Sequence, residues 1–272
     1  MSIEMSALPH VYLLTWCKDI DLLYGTTLTF KTLRRGFPTA PIHVVDAASL
    51  IAVRDQIGAL AREVSAEFKQ LRRHIELSQF IEAVLMRQAT GSAVFVDPDV
   101  CFWQSIEDWT FDGLAAGRLI RKHHCEFTDC LTEPRLHTSL LWIPDVAALL
   151  SAVAETRQKL RYFQAFANAM VRTDGRWTHF DTAAGLYSAF PNRMVPFDDE
   201  HLDAYDHLFA GTYADSVLKK VSPESRAMYE RLHRAAREDF RQLKGCWRNQ
   251  DRYFESRAAL LQYCSERSSI ED

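Results

Sequence analysis

The chain has 272 residues, 47% of them hydrophobic and 25% charged. That is ordinary for a globular protein and enough for one large α/β domain or two small ones. Its net charge of −4 excludes bulk nucleic-acid binding, which needs a basic field. Cysteines stand at 17, 101, 125, 130, 246 and 264 with no CxxC pair. They form no disulfide framework and suit a reducing cytoplasm. Met1 to His10 has neither a basic n-region nor a long apolar core, so no signal peptide is expected. No run reaches the length of a membrane span; Leu140 to Leu150 is broken by Pro144 and Asp145.

Val11-Tyr12-Leu13-Leu14-Thr15 reads as the first strand and leaves through a polar loop, Thr15 to Asp21. Leu22 to Leu33 is amphipathic and predicts a helix, ended by Gly36 and Pro38. Ile42-His43-Val44-Val45 is a second strand that stops at Asp46. Strand, helix and strand at this spacing make a βαβ unit and imply a parallel sheet. Asp46 suits two tasks: accepting hydrogen bonds from a ligand, or capping a helix that starts near Ala48. Ser49 to Val64 and Leu71 to Ala89 both have helical spacing. The second turns Ile75, Phe80, Ile81, Val84 and Leu85 inward, with Arg72, Arg73 and His74 at its front.

Ala93-Val94-Phe95-Val96 predicts a strand buried on both faces. It runs straight into Asp97-Pro98-Asp99. A turn at Pro98 brings both carboxylates to one side, because proline fixes its own φ near the turn value. The C-terminal edge of a central strand is where α/β folds bind ligands. Paired carboxylates there seat a hard divalent cation. A solvated Asp-Pro-Asp turn is the plain alternative. A hydrophobic strand ending in Asp-x-Asp, about a third of the way along an α/β chain, resembles the metal motif of GT-A glycosyltransferases. The resemblance covers about Val11 to Asp215.

That resemblance implies a GT-A (Rossmann-like) mixed β-sheet flanked by helices, and a nucleotide-sugar donor. It places the donor's base and ribose against the strand exits at Thr15, Trp16, Cys17 and Asp46. It brings Arg73 and His74 toward the diphosphate, although a solvated helix start explains them as well. It assigns Mn²⁺ or Mg²⁺ to Asp97 and Asp99, with Asp97 shared with the ribose.

Phe102-Trp103 and Ile106 to Phe111 form an aromatic segment that suits packing beneath the metal motif. Leu114 to Ile120 predicts a strand. Arg121 to Arg135 is polar and holds His123, His124, Cys125 and Cys130. The C-x4-C spacing is not a zinc knuckle, and a mobile loop near the acceptor is expected. Leu136 to Pro144 is a strand. Where the family carries Asn-Ser-Gly, this chain has His137, Thr138 and Ser139, which the resemblance places in the acceptor region. Asp145 opens a helix that runs to Leu160. Asp181 precedes the apolar helix Ala183 to Ala189, where the family places an acidic residue near the acceptor. It is the candidate catalytic base, and it equally fits a helix N-cap. Met194 to Phe197 reads as the last core strand, followed by an acidic loop, Asp198 to Asp206. His207, with Gly211 soon after, resembles the family's late histidine and joins the candidate metal ligands.

From Lys219 a nearly breaker-free stretch predicts helices appended to a catalytic domain over 1–218. Between Lys219 and Arg267 twelve Lys or Arg face seven Asp or Glu, a net +5, which leaves −9 for the rest of the chain. Tyr229, Phe240 and Trp247 are interleaved. The stretch suits a helical cap on the sheet, an anionic membrane surface or a partner protein. The function expected is metal-dependent transfer of a hexosyl or N-acetylhexosaminyl group. The donor is a UDP-sugar, and the acceptor a hydroxyl on a glycan, a lipid-linked sugar or a protein. The enzyme is expected to be cytoplasmic, with peripheral membrane contact through the basic helices. A nucleotidyltransferase is one rival, but Thr15 to Asp19 lacks the glycine-rich loop such enzymes carry after the first strand. A non-catalytic module on a transferase-like fold is the other, and an intact metal motif argues against it.

Overall fold

The computed structural model describes residues 8–18, 22–125, 130–156, 165–173 and 175–207. The basic helices expected from Lys219, and the domain division at residue 218, lie outside these. The chain opens with β1 (His10–Thr15), α1 (Leu23–Gly36) and β2 (Ile42–Asp46). β1 and β2 are parallel, from Val11 opposite Ile42 to Thr15 opposite Asp46, as the βαβ reading requires. α1 runs one turn past Leu33, because Gly36 is still helical and the N–H of Phe37 closes on the Leu33 carbonyl.

α2 (Ile51–Glu63) leads into β3 (Glu67–Gln70), a short strand parallel to β2. Its sequence, Glu-Phe-Lys-Gln, has no apolar run, and three of its four residues are exposed. Periodicity therefore gives no signal for it. The next helix, α3 (Leu77–Gln88), starts six residues later than expected. Glu76 is extended, and its N–H donates to Gln79 Oε1 at 3.3 Å in a capping box. Arg72, Arg73 and His74 thus belong to a connector, not to a helix front.

β4 (Ala93–Val96) is buried on both faces, as predicted. Val94 and Val96 pack with Phe30 and Leu33 of α1, while Ala93 and Phe95 pack with Phe80, Ile81 and Leu85 of α3. Each such large apolar side chain contributes about 1.5–3 kcal/mol on burial. The chain continues through β5 (Val100–Phe102), β6 (Ala115–Ile120), β7 (His123–Cys125), β8 (Cys130–Thr132) and β9 (Arg135–Ile143). Then come α4 (Val146–Thr156), β10 (Ala169–Thr173), β11 (Arg176–Phe180), α5 (Ala184–Ala189), β12 (Met194–Pro196), α6 (Asp199–Asp203) and β13 (Tyr205–His207).

The central sheet has the order β12-β6-β9-β4-β1-β2-β3. It is mixed, because β9 runs antiparallel to both β4 and β6. With helices packed on both faces, this is the GT-A-type layout that the resemblance implies. β12 is an edge strand, paired in parallel with β6. A second sheet, β10-β11-β8-β7, replaces the mobile loop expected between Arg121 and Arg135. The acidic loop expected between Asp198 and Asp206 is instead α6 and β13. Asp198 caps α6 by accepting from the His201 N–H at 3.0 Å. Among the described residues no helix is long and apolar enough to cross a membrane.

Candidate metal centre and cleft

The pairing of β4 with β9 extends one step past Val96, where the Asp97 N–H donates to the Ser139 carbonyl at 2.9 Å. The chain turns at Pro98 and enters β5 at Val100. β5 pairs antiparallel with β13, and Val100 lies opposite His207. That short ladder brings the end of the described chain back to Asp99. His207 Nε2 stands 3.0 Å from Asp99 Oδ1. Trp103 Nε1 donates to Asp206 Oδ2 at 2.6 Å and fastens the same ladder. One ligand atom from each of Asp97, Asp99 and His207 lies within 4.8 Å of the others, the one such cluster among the described residues. His123, His124 and Cys130 enter no such group, and the C-x4-C segment is spent on the β7–β8 pairing, Cys125 opposite Cys130.

The electrostatics of the cluster are those of a site short of positive charge. Desolvation, and then the Asp99 charge, push the Asp97 carboxyl up to about 7, against some relief from His207. Burial alone pulls His207 down, but Asp99 beside it, and Asp97 beyond, outweigh this and leave its pKa raised. His137 stacks obliquely on His207, ring centroids 5.2 Å apart. Burial, then the charges of His207, Arg135 and Arg118, hold His137 well below its ordinary value. Its Nδ1 accepts from the Ser139 N–H at 3.0 Å, as a neutral imidazole can. Two carboxylates and one imidazole make a donor set that fits Mn²⁺ or Mg²⁺. The raised Asp97 carboxyl reflects buried, crowded negative charge of the kind that a cation would offset.

The cluster forms one wall of a cleft of about 470 Å³, a size that holds a nucleotide-sized ligand. Trp16, Cys17 and His74 line it as well, and Trp16 packs on His74 with ring centroids 4.0 Å apart. His137, Thr138 and Asp181 also reach it. Four expected site residues do not. Thr15 and Ser139 are fully buried and stay out of the cleft; alternation along β1 turns Thr15 away from the side that Leu14 and Trp16 share. Asp46 is fully buried as well; it accepts from Thr15 Oγ1 at 3.3 Å and from the Ser49 hydroxyl and N–H. It fastens the turn after β2 and is not positioned to meet a base or ribose. Arg73 is exposed outside the cleft.

Asp181 is not the cap of α5, whose N-cap is Ala183. Its Oδ2 lies 2.7 Å from Arg135 Nη2, and its Oδ1 accepts from the Thr182 N–H at 2.8 Å and from Asn168 Nδ2 at 3.3 Å. Sequence reasoning passed over Arg135, Asn168 and Arg118. Arg118 did leave a signal: it is the one charge in the apolar run Leu114 to Ile120, and it is buried.

No protein-family model and no curated protein matches this chain in sequence. Several solved structures resemble it. A mannosyltransferase from Pyrobaculum calidifontis, in complex with GDP-Man and Mn²⁺, is 11% identical with a TM-score of 0.46; the match covers 98% of this chain and 77% of that one. The bifunctional glycosyltransferase WbbM is 10% identical with a TM-score of 0.43, over 72% of this chain. This chain spans 40% of its length. A nucleoside-diphosphate-sugar pyrophosphorylase from Vibrio cholerae is 10% identical with a TM-score of 0.41, over 76% of this chain and 99% of that one. These are likenesses of fold; the functional reading rests on the side chains.

Proposed function

We propose that the chain is a metal-dependent glycosyltransferase that moves a hexosyl or N-acetylhexosaminyl group from a UDP-sugar to a hydroxyl acceptor. The observation that carries this is the Asp97–Asp99–His207 cluster at the C-terminal edge of β4, open to a cleft of about 470 Å³. A divalent cation held there neutralises a diphosphate leaving group. Trp16 and His74 offer an aromatic surface for the donor's base in the same cleft. In the transfer, the bond from the anomeric carbon to the diphosphate breaks and a bond to the acceptor oxygen forms. The acceptor proton passes to Asp181 if the reaction inverts; if it retains, Asp181 orients a sugar. The basic segment from Lys219 would bring the enzyme to anionic lipid, in the cytoplasm, and its removal after Ser222 should abolish salt-sensitive liposome binding.

The test is thermal stability of the full chain with UDP-, GDP- and other nucleotide sugars, with Mn²⁺ or with EDTA. A ligand of the native state raises the melting temperature by mass action. UDP or a UDP-sugar should stabilise the protein more with Mn²⁺ than with EDTA. Equal melting temperatures across all nucleotides and metals would sink the reading. Release of pyrophosphate from a nucleoside triphosphate and a sugar phosphate would favour a nucleotidyltransferase instead.

A further inference from the structure

One face of the β10–β11 hairpin runs out of the cleft to the surface. In an antiparallel pair, residues directly opposite each other lie on the same face, as do alternate residues along each strand. Met170 is opposite His179, and Arg172 is opposite Trp177. One step inward, Asn168 and Asp181 are bonded at 3.3 Å, and both line the cleft. His179 Nε2 lies 2.9 Å from Asn168 Oδ1 and links the first rung to the second. Three rungs therefore form one ladder: Asn168–Asp181, Met170–His179 and Arg172–Trp177. From Asp181 to Trp177 it extends about 13 Å, four residues at about 3.3 Å each.

At the outer rung Trp177 is 51% exposed, and at the middle rung Met170 is 47% exposed. An indole offers a rigid apolar face, and here hydrogen-bonding groups stand beside it on the same face, the combination found in ligand sites. From this ladder the geometry points to an acceptor track: the non-reacting sugars of an oligosaccharide acceptor lie along the rungs, with one sugar ring flat on Trp177. This rests on the transferase reading above. The chemistry suits a sugar. An indole takes the apolar C–H face of a pyranose, while Asn168, His179 and Arg172 offer donors and acceptors to its hydroxyls. The length suits a chain of sugars, since the track continues well beyond the rung where Asp181 meets the reacting hydroxyl. A lipid surface suits it poorly. The ladder carries one arginine and one aspartate, whereas membrane-binding faces are clustered in Lys and Arg.

The test uses the full chain with Mn²⁺ and UDP. Saccharide binding is measured by titration with chitotriose, maltotriose, cellotriose and mannotriose, each beside its monosaccharide, and by a printed array of defined glycans. At least one oligosaccharide should bind at least about tenfold more tightly than its monosaccharide. Trp177→Ala should erase that gain and Trp177→Phe should keep part of it, while the stabilisation by UDP and Mn²⁺ stays at the wild-type value. The side chain is half exposed, so neither variant disturbs the core. The inference is overturned if no glycan binds better than its monosaccharide, or if Trp177→Ala binds glycans as wild type does. It is equally overturned if that variant loses only liposome binding. If UDP and Mn²⁺ fail to stabilise the wild type, the transferase reading falls, and the Trp177 comparison still reports whether the ladder binds sugar.

Discussion

His207 Nε2 and Asp99 Oδ1 lie 3.0 Å apart although 108 positions separate the two residues in the chain. The two-stranded β5–β13 ladder carries that closure, with His207 opposite Val100. Asp99 is rigidly seated because β5 follows at once, and His207 because Asp206 is tied to Trp103. The cluster is thus set by backbone pairing and does not depend on flexible side chains finding one another. Asp97 and Asp99 bring charge, and His207 brings a neutral nitrogen once its proton leaves.

Removing a charged ligand should therefore hurt more than removing the imidazole. Asp99→Asn should lower turnover at least about 100-fold, close to 2.7 kcal/mol of transition-state stabilisation. His207→Ala should retain turnover that excess Mn²⁺ partly restores. The readout is transfer or donor hydrolysis across a Mn²⁺ titration, with circular dichroism as the folding control. Wild-type turnover by folded Asp99→Asn without added metal would defeat the metal assignment.

The same cluster fixes a pH dependence. Asp97 has a folded-state pKa near 7 against an ordinary 3.8, so the metal-free fold holds this proton more tightly than the unfolded chain does. Stability from this group is present at low pH and is lost as the pH rises through the window from about 4 to about 7. His207 is also raised, so its contribution is present below its ordinary 6.5 and is lost as the pH rises through its higher folded value. Protons and cation compete for these ligands. The rise in melting temperature on adding Mn²⁺ should be larger at about pH 8 than at about pH 6, and Asp97→Asn should flatten that difference. An equal Mn²⁺ shift at both pH values would show that the cation binds elsewhere.

What the sequence showed and hid follows from where apolar residues stand. β4 was legible because all four of its residues are apolar and both its faces are covered. The Asp97–Asp99 pair was legible because it interrupts that run. β3 was hidden because an edge strand with exposed Glu67, Lys69 and Gln70 carries no apolar pattern. The second sheet was hidden because β7 and β8 are three residues each, too short for an alternating pattern to show, so pairing and not periodicity makes them strands. Asp46 looked like a ligand residue at a strand exit; only its burial against Thr15 and Ser49 shows the local task it performs. Asp181 stood out by its place before a helix, yet its partner Arg135 lies 46 positions earlier and left no local mark.

Gly36 links the stability of the fold to the site. A Cβ at this position would meet Phe102 Cγ at 2.6 Å and Cδ1 at 2.7 Å. Phe102 is fully buried, packs edge-on against Phe37 and donates its backbone N–H to Thr32 Oγ1 at 3.1 Å. It has no room to retreat without moving β5. Gly36→Ala should cost about 1–3 kcal/mol, as overpacking usually does, and should weaken Mn²⁺ binding because β5 begins next to Asp99. Chemical denaturation and a Mn²⁺ titration check the two halves of this expectation. A fully stable variant with wild-type Mn²⁺ affinity would show that α1 and β5 are less tightly coupled than their packing indicates.

Arg135 and Asp181 form a pair in which the two members are unequal. Arg135 is buried, with one amino nitrogen on Asp181 at 2.7 Å and the other, Nη1, without a hydrogen-bond partner among the described residues. Asp181 reaches the cleft and keeps 19% of its side chain exposed. Asp181→Asn leaves a buried guanidinium facing a neutral amide, and breaking a buried pair on one side costs about 3–5 kcal/mol. Some of that cost is relieved here by access to cleft water, so about 2–3 kcal/mol is expected. Adding Arg135→Met removes the stranded charge with a side chain of similar reach. The double variant should recover most of the lost stability and none of the lost transfer activity, because the carboxylate at the cleft is still missing. Melting temperatures of the single and double variants, beside their acceptor-dependent transfer rates, separate the two roles. If the double variant regains activity along with stability, Asp181 serves the fold alone and the acceptor proton goes elsewhere.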